Sequence, residues 1–201
     1  MKNIVRLTLL TLAFLQLGAC SGVMDSKREA RQTYLLTPDT SITGAPAAVS
    51  APGLAVAISV VPGLDTDRIL ALGPDARLSP YANARWPDHL PEVITSVLKR
   101  SLSASGDFSS VEASSRASDG GWSLTLELQQ FYGIQNGTGE TSSVRVEFAG
   151  TLECNGNSIP LRLSDSNSVS EDRLSAVVAA HQRGLNDVTR QLLEQVRSAC
   201  S

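Results

Sequence analysis

The spacing of apolar residues changes along this chain, and that change limits the fold more than any other feature. In segments 122–128 and 144–152, apolar and polar side chains alternate, which is the pattern of strands with one buried face. From Leu174 to Val196, apolar residues recur at intervals of three and four, and a shorter segment from Leu90 to Leu102 has the same spacing. Both of these segments predict amphipathic helices. We therefore expect an α+β domain in which a mostly antiparallel sheet packs against two long amphipathic helices.

Shorter apolar segments complete the predicted sheet. Residues 54–61 are almost continuously apolar, which predicts a strand near the centre of the sheet with both faces covered. Asn155-Gly156 predicts a tight hairpin turn that leads into another strand. The remaining predicted strands are 34–36, 68–72, 77–78, 108–111 and 159–163.

Residues that favour helix ends flank both predicted helices. Asp88 is expected to cap the start of the first helix, and Gly106 is expected to end it. Ser168 and Glu171 have the spacing of a capping box ahead of the second helix.

The first twenty residues constrain where the protein is found. Lys2 and Arg6 supply positive charge, residues 7–17 are nearly all apolar, and Gly18-Ala19 precede Cys20. This is the architecture of a secretory signal peptide, and it is too short for a stable membrane span. Its end also resembles a bacterial lipobox, which implies a diacylglyceryl thioether on Cys20 and cleavage before it. The alternative is an ordinary cleaved signal with an incidental cysteine.

The domain organisation follows from this leader. We predict a signal peptide at 1–19, a lipidated Cys20 with a flexible tether over 20–33, and a folded domain over 34–201. Several acyl chains would hold the protein at a membrane where one chain would not. Ser21, where an Asp would favour retention in the inner membrane, favours the outer membrane.

The charge of the chain excludes some partners. The sequence has 17 Lys and Arg against 20 Asp and Glu, and cleavage of the leader removes two of the positive residues. No Lys/Arg cluster remains in the sequence, which argues against nucleic acid and against an electrostatically held membrane surface.

Cysteine usage agrees with an exported protein. Besides Cys20 the chain has Cys154 and Cys200, which predict a disulfide, with two free thiols as the alternative. No metal or other cofactor is expected, because His89 and His181 lack ligand spacing to a cysteine.

The order of several short motifs resembles the ABC-type transport auxiliary lipoprotein family, which includes paraquat-inducible protein C. In that family a lipobox precedes a Tyr-Leu-Leu strand, an apolar strand ending in Pro, Leu-Asp and Arg-Ile pairs, and a Trp before a Leu-rich helix. This chain departs from the family by separating Asp65 from Arg68 and by placing Pro87-Asp88 after the Trp. The matching segments are Tyr34-Leu35-Leu36, Val56 to Pro62, Leu64-Asp65, Arg68-Ile69, Arg85-Trp86 and Leu90 to Leu102.

This resemblance implies a periplasm-facing accessory lipoprotein that works beside an ABC-type importer or a membrane-spanning lipid-carrier assembly. Its implied role is to dock partner subunits for lipid trafficking, and direct lipid contact and homo-oligomerisation both stay open. Asp65, Arg68, Arg85 and Trp86 are the candidate partner-binding residues, since Trp and Arg are favoured in interface hot spots. For Trp86, core packing is the favoured interpretation, and a partner anchor is the alternative.

No residue pattern in the sequence predicts an enzyme. There is no Gly-x-Ser-x-Gly motif. His181 lies in the apolar stripe of the second helix, which favours a partly buried core histidine, and His89 is expected to be exposed near a helix start. Asp65 and Asp67 are expected to form a turn with a local ion pair to Arg68. Two alternatives stay open: a cofactor of lipopolysaccharide or cell-wall assembly, and a periplasmic hydrolase that uses His181.

Overall fold

The computed structural model describes residues 31–117 and 120–200. The predicted signal peptide, Cys20 and most of the predicted tether lie outside the described residues. This part of the chain forms eight strands and two α-helices, with a short 3-10 turn at Thr40–Ile42. In chain order they are β1 (Gln32–Thr33), β2 (Gly53–Val60), β3 (Arg68–Leu72), β4 (Leu78–Arg85), α1 (Leu90–Ala104), β5 (Ser110–Ala113), β6 (Trp122–Gln135), β7 (Thr141–Cys154), β8 (Asn157–Ser168) and α2 (Leu174–Ala199).

The sheet is a long antiparallel meander whose first strand carries two branches. Strands β6, β7 and β8 pair in antiparallel register over almost their whole lengths. On its other edge β6 pairs in parallel with β2 over its first half and with β3 near its end. Strand β2 continues the sheet to β5, and β3 continues it through β4 to β1. Most paired residues are antiparallel, so the predicted α+β class is confirmed.

Both helices cover the same face of this sheet. Alternate residues of the long strands, such as Leu126 and Phe148, are 1 % exposed and form one core with the buried stripes of α1 and α2. The opposite face, here called the open face, carries exposed polar residues such as Thr125 and Arg145. Burying one face of each strand in this way is what the two-residue alternation predicts.

Helix α2 lies close to the sheet because it contains a glycine at the contact. A Cβ atom at Gly184 would lie 2.7 Å from Val146 Cγ2, so any larger residue would push the helix away. At 26 residues, α2 is about 39 Å long. None of the described helices is both long and apolar enough to cross a membrane.

Several predicted strand boundaries are wrong. Residues 34–36 are not a strand; the pairing with β4 involves Gln32 and Thr33, inside the predicted tether. Strand β4 extends to Arg85, far beyond the predicted 77–78, because its small and polar residues do not alternate clearly. Strand β5 begins two residues later than predicted. Strand β2 has neighbours on both edges, as expected, but Ser59 near its end is exposed.

Both predicted N-terminal caps need correction, whereas Gly106 directly follows the C-cap of α1 with a φ of 78°, as predicted. His89 is the N-cap of α1, and the Asp88 carboxylate accepts a hydrogen bond from the His89 N–H at 2.8 Å. The capping box of α2 is absent, because Ser168 is still paired in β8 and the helix begins after Arg173. The predicted hairpin at Asn155-Gly156 is confirmed, with φ of 52° and 77° at the two residues.

The C-terminal end of α2 is joined to the sheet through two cysteines. The sulfur atoms of Cys154, at the end of β7, and Cys200, just after α2, are 1.95 Å apart. Both residues are buried, and the Asn155 side chain donates a hydrogen bond to the Cys200 carbonyl oxygen at 3.0 Å. Helix and sheet are thus held together at the end opposite to the start of α2.

Candidate functional site

Where the chain enters the domain, the loop before β3 is hydrogen-bonded to the loop between β4 and α1. The Trp86 N–H donates to the Asp67 carbonyl oxygen at 2.7 Å, and the Leu90 N–H donates to that of Thr66 at 3.1 Å. The second bond satisfies one of the N–H groups left free in the first turn of α1. We name the surface formed by Asp65, Asp67, Arg68, Arg85 and His89 the entry surface.

Two ion pairs cross the entry surface. Asp65 Oδ1 lies 2.9 Å from His89 Nδ1, and Asp67 Oδ2 lies 3.7 Å from Arg85 Nη1. The predicted local ion pair of these aspartates with Arg68 is therefore wrong. The observed partners are Arg85, the last residue of β4, and His89, the N-cap of α1, and the sequence spacing does not indicate these pairings.

His89 is electrostatically tuned by its acidic neighbours. The hydrogen bond that His89 donates to the Asp65 carboxylate raises the pKa of His89; desolvation opposes this, and the charges of Asp65, Glu92 and Asp88 add to the increase. A His–Asp pair is also two-thirds of a catalytic triad. Among the described residues, however, no hydroxyl or thiol group makes a hydrogen bond with His89, so no nucleophile completes the arrangement.

Two arginines occupy directly opposite positions in the β3–β4 pair. Arg68 and Arg85 are direct cross-strand partners, so their side chains lie on the same side of the sheet. Besides its ion pair, Arg85 donates from Nε to Thr33 Oγ1 at 3.5 Å. Arg68 donates from Nη2 to the Tyr81 carbonyl oxygen at 3.5 Å, and its buried Nε has no partner among the described residues. Arg68 and Arg85 are 17 positions apart in the sequence, and the pairing of β3 with β4 places them at opposite positions.

Trp86 does not reach the surface of the domain, which agrees with the core-packing interpretation rather than with a partner anchor. It is 1 % exposed, and its ring centroid lies 5.8 Å from that of Phe131 and 5.6 Å from that of His181. The alternation of side chains along an extended strand explains the burial of Trp86. Ala84 and Trp86 face the core, while Arg85 between them faces outward. Because Trp86 is packed in the core, its position fixes where the neighbouring Arg85 leaves the backbone.

His181 is more deeply buried than predicted. It is 0 % exposed, packs 4.7 Å from the Phe131 ring centroid, and donates from Nδ1 to the Val177 carbonyl oxygen at 3.0 Å. Its Nε2 has no hydrogen-bond partner among the described residues. Burial lowers the pKa of His181 from 6.5 to about 4, against a smaller opposing effect of the Val177 and Phe131 backbone. A neutral, enclosed imidazole is not accessible to a substrate.

A shallow groove lies beside the entry surface. It has a volume of about 220 Å³ and runs between residues 35–36, Pro87-Asp88 and α1. Leu35 at its edge is 67 % exposed, whereas Leu36 is buried. Both leucines lie in the predicted strand 34–36, and the sequence pattern gives no sign that Leu35 is exposed.

The fold is shared with solved structures of low sequence identity. One, the crystal structure of an uncharacterized protein, has 14% identity and a TM-score of 0.65, covering 84% of this chain and 99% of its own. Another, protein XCC0632 from Xanthomonas campestris of the family DUF330, has 20% identity and a TM-score of 0.62, covering 83% and 92%. No match is found among curated proteins.

The class of protein that emerges is a transport auxiliary component rather than a member of an enzyme family. Residues 34–192 match the family model of the ABC-type transport auxiliary lipoprotein component. The chain belongs to this family, and the resemblance of its sequence motifs is confirmed. Membership associates it with the cell envelope and with an ABC transport system.

Proposed function

We propose that this chain is a membrane-anchored, periplasm-facing accessory protein that docks subunits of an ABC-type or lipid-carrier system for lipid trafficking across the envelope. The observation that carries the proposal is the family match over residues 34–192. The lipobox ending in Cys20 supports a lipid anchor, and Ser21 supports the outer membrane as its location.

The anchor and the tether would act together. Acyl chains on Cys20 would restrict the domain to one membrane surface, and a flexible segment over 21–33 would span about 20 Å. Because the domain then samples a small volume, its effective concentration near a partner in or beside that membrane is high. A weak docking contact would therefore be sufficient.

We propose the entry surface as the docking site. It carries exposed charges of both signs, including the Asp65–His89 pair, whose side chains are 64% and 59% exposed. Exposed charges of this kind steer encounter and select partners more than they stabilise a fold. Arg68 and Arg85 extend the same surface, while Trp86 supports it from below.

The anchor is tested first. Cells that express the full chain would be labelled with radioactive palmitate, with Cys20→Ser as the control. Label in the wild type alone, together with a mature N-terminus at Cys20 by mass spectrometry, is the expected result. Unlabelled wild-type protein would contradict the anchor.

Docking is tested by photocrosslinking in cells. A photoreactive amino acid would replace Asp88, exposed beside the entry surface, with fully exposed Val49 as the matched control position. We expect an ABC-transporter or lipid-carrier subunit to be captured at Asp88 and not at Val49. Capture of lipopolysaccharide-assembly or cell-wall enzymes instead would contradict the proposed system.

A further inference from the structure

We propose that Arg68 and Arg85 bind the phosphate group of a phospholipid in the membrane to which the protein is anchored. This inference rests on the proposed function, because the anchor must first bring the domain to that membrane. It adds a direct headgroup contact by the folded domain, at two named residues.

The first argument is the unbalanced charge between the two strands. Arg68 and Arg85 occupy directly opposite positions of a β-pair, where two like charges are destabilising. Asp67 is the one carboxylate that either arginine contacts among the described residues. Its 3.7 Å separation from Arg85 Nη1 is well beyond a charge-assisted hydrogen bond, so the pair is left with excess positive charge.

The second argument is that the protein satisfies Arg68 poorly. This half-buried side chain has one long hydrogen bond, to the Tyr81 carbonyl oxygen, and a buried Nε with no partner. A buried donor without an acceptor is unfavourable, and native proteins seldom keep one without a reason. The planar guanidinium presents several donors in a fork that matches the oxygens of a phosphate.

The third argument is the location of the pair relative to the anchor. Thr33 of β1 is the direct neighbour of Arg85, so the tether from Cys20 enters the domain at this point. Only twelve residues separate Cys20 from Thr33, and an extended chain spans at most about 3.5 Å per residue, so an acyl group on Cys20 would keep this side of the domain within roughly 45 Å of the bilayer. Leu35, two residues beyond Thr33, adds an exposed apolar side chain. Apolar and basic residues together are typical of a surface that contacts lipid headgroups.

The acidic side chain of a protein partner could occupy the same two guanidinium groups. The position beside the tether favours lipid, because the bilayer is always within reach of this surface whereas a partner must diffuse to it. The two occupants differ in what a crosslinker beside the arginines would capture.

The test uses the full lipoprotein in cells grown with radioactive phosphate. A photoreactive amino acid at Leu35 is expected to capture labelled phospholipid. Replacing both arginines, as Arg68→Gln with Arg85→Gln, is expected to reduce that capture on the order of tenfold. The matched control is Arg77→Gln, which removes an exposed arginine of the β3–β4 turn that pairs with Asp75, and should leave the capture unchanged.

Thermal unfolding separates binding from a structural role. Since the two arginines repel, the double variant should unfold at the same temperature as the wild type or higher. If the double variant does not accumulate, Arg85→Gln alone is used, because that side chain is 42% exposed. A reduced melting temperature with unchanged lipid capture would overturn the proposal and leave the arginines a structural role.

The remaining outcomes separate this site from the proposed function. Capture at Leu35 of a protein, lost in the arginine variants, would overturn the phosphate site in favour of an acidic partner. Arginine-dependent lipid capture without any transporter subunit at Asp88 would support the site while the docking function fails. Capture of a transporter subunit at Asp88, together with lipid capture that does not depend on the arginines, would support the docking function and overturn the phosphate site.

Discussion

Trp86 and Arg85 are adjacent in the sequence but belong to two regions with opposite properties. On the helix-covered side, Trp86 packs with Phe131 and His181 in a cluster closed to solvent. On the other side, Arg85 lies in the entry surface with Arg68 and exposed charges. Two family landmarks that look like one motif in the sequence therefore lie in different environments, one in the core and one on the surface that we propose for docking.

The two histidines show the same contrast in their titration. His181 lies in the buried cluster, where burial lowers its pKa to about 4. His89 lies on the entry surface, where Asp65 raises its pKa. Burial thus disfavours the protonated imidazole of His181, whereas the neighbouring carboxylate favours that of His89.

The largest expected difference between the regions is in stability. Trp86→Ala should reduce the free energy of unfolding by about 3–5 kcal/mol, because it removes a large buried side chain and leaves a cavity. Arg85→Ala should change it by less than about 1 kcal/mol, since its ion pair is exposed and long. Urea unfolding of the two variants checks this. A similar decrease in the free energy of unfolding for both variants would show that Arg85 is as important to stability as Trp86.

The second prediction concerns the covalent link on the helix-covered side. A bond between Cys154 and Cys200 closes a loop with a sequence separation of 46, so Cys154→Ser should destabilise the domain by about 2–4 kcal/mol. Unfolding followed by thiol labelling, with and without reductant, measures both the bond and its effect. Cys20→Ser is the matched control and should leave the stability of the domain unchanged. Labelling of both thiols without reductant would show that the bond is absent.

The third prediction is an acid-dependent loss of stability caused by His181. Its folded pKa of about 4 lies below the unfolded value of 6.5, so the unfolded chain takes up a proton first as the pH falls. Stability that is complete above pH 6.5 should therefore be lost as the pH falls towards 4, by roughly 3 kcal/mol. Replacing the imidazole in His181→Leu should flatten this part of the profile. An equally steep profile in that variant would assign the loss to other groups.

The sequence was sufficient for the parts of the fold that repeat a local pattern. Alternation located β6 and β7, the three- and four-residue spacing located both helices, and Asn155-Gly156 located a hairpin. These signals are local, because each depends on a side chain and its near neighbours in the chain. Strand β4 was predicted far too short, at 77–78, for the same reason, since its residues do not alternate clearly.

The family resemblance pointed to Asp65, Arg68 and Arg85, but the contacts within the entry surface could not be predicted, because they depend on tertiary pairing. Nothing near Asp65 indicates that its partner is His89, or that Arg68 will lie opposite Arg85. The sequence also showed no basic cluster, although the hairpin register makes a small one. The degree of burial could not be predicted either. The spacing placed His181 in an apolar stripe but did not show that it is fully enclosed.

The smallest expected effect is a change in titration at His89 with little change in stability. Because Asp65 stabilises the protonated imidazole, Asp65→Asn should lower the pKa of His89 towards its ordinary value of 6.5 while His181 is unaffected. Proton NMR titration of the two imidazoles in the wild type and the variant measures this. The raised pKa means that the pair contributes fully below pH 6.5 and loses its contribution as the pH rises through the folded value. If both histidines shifted together, the exposed and buried regions would be electrostatically coupled, and variants of the entry surface could not be read as binding variants alone.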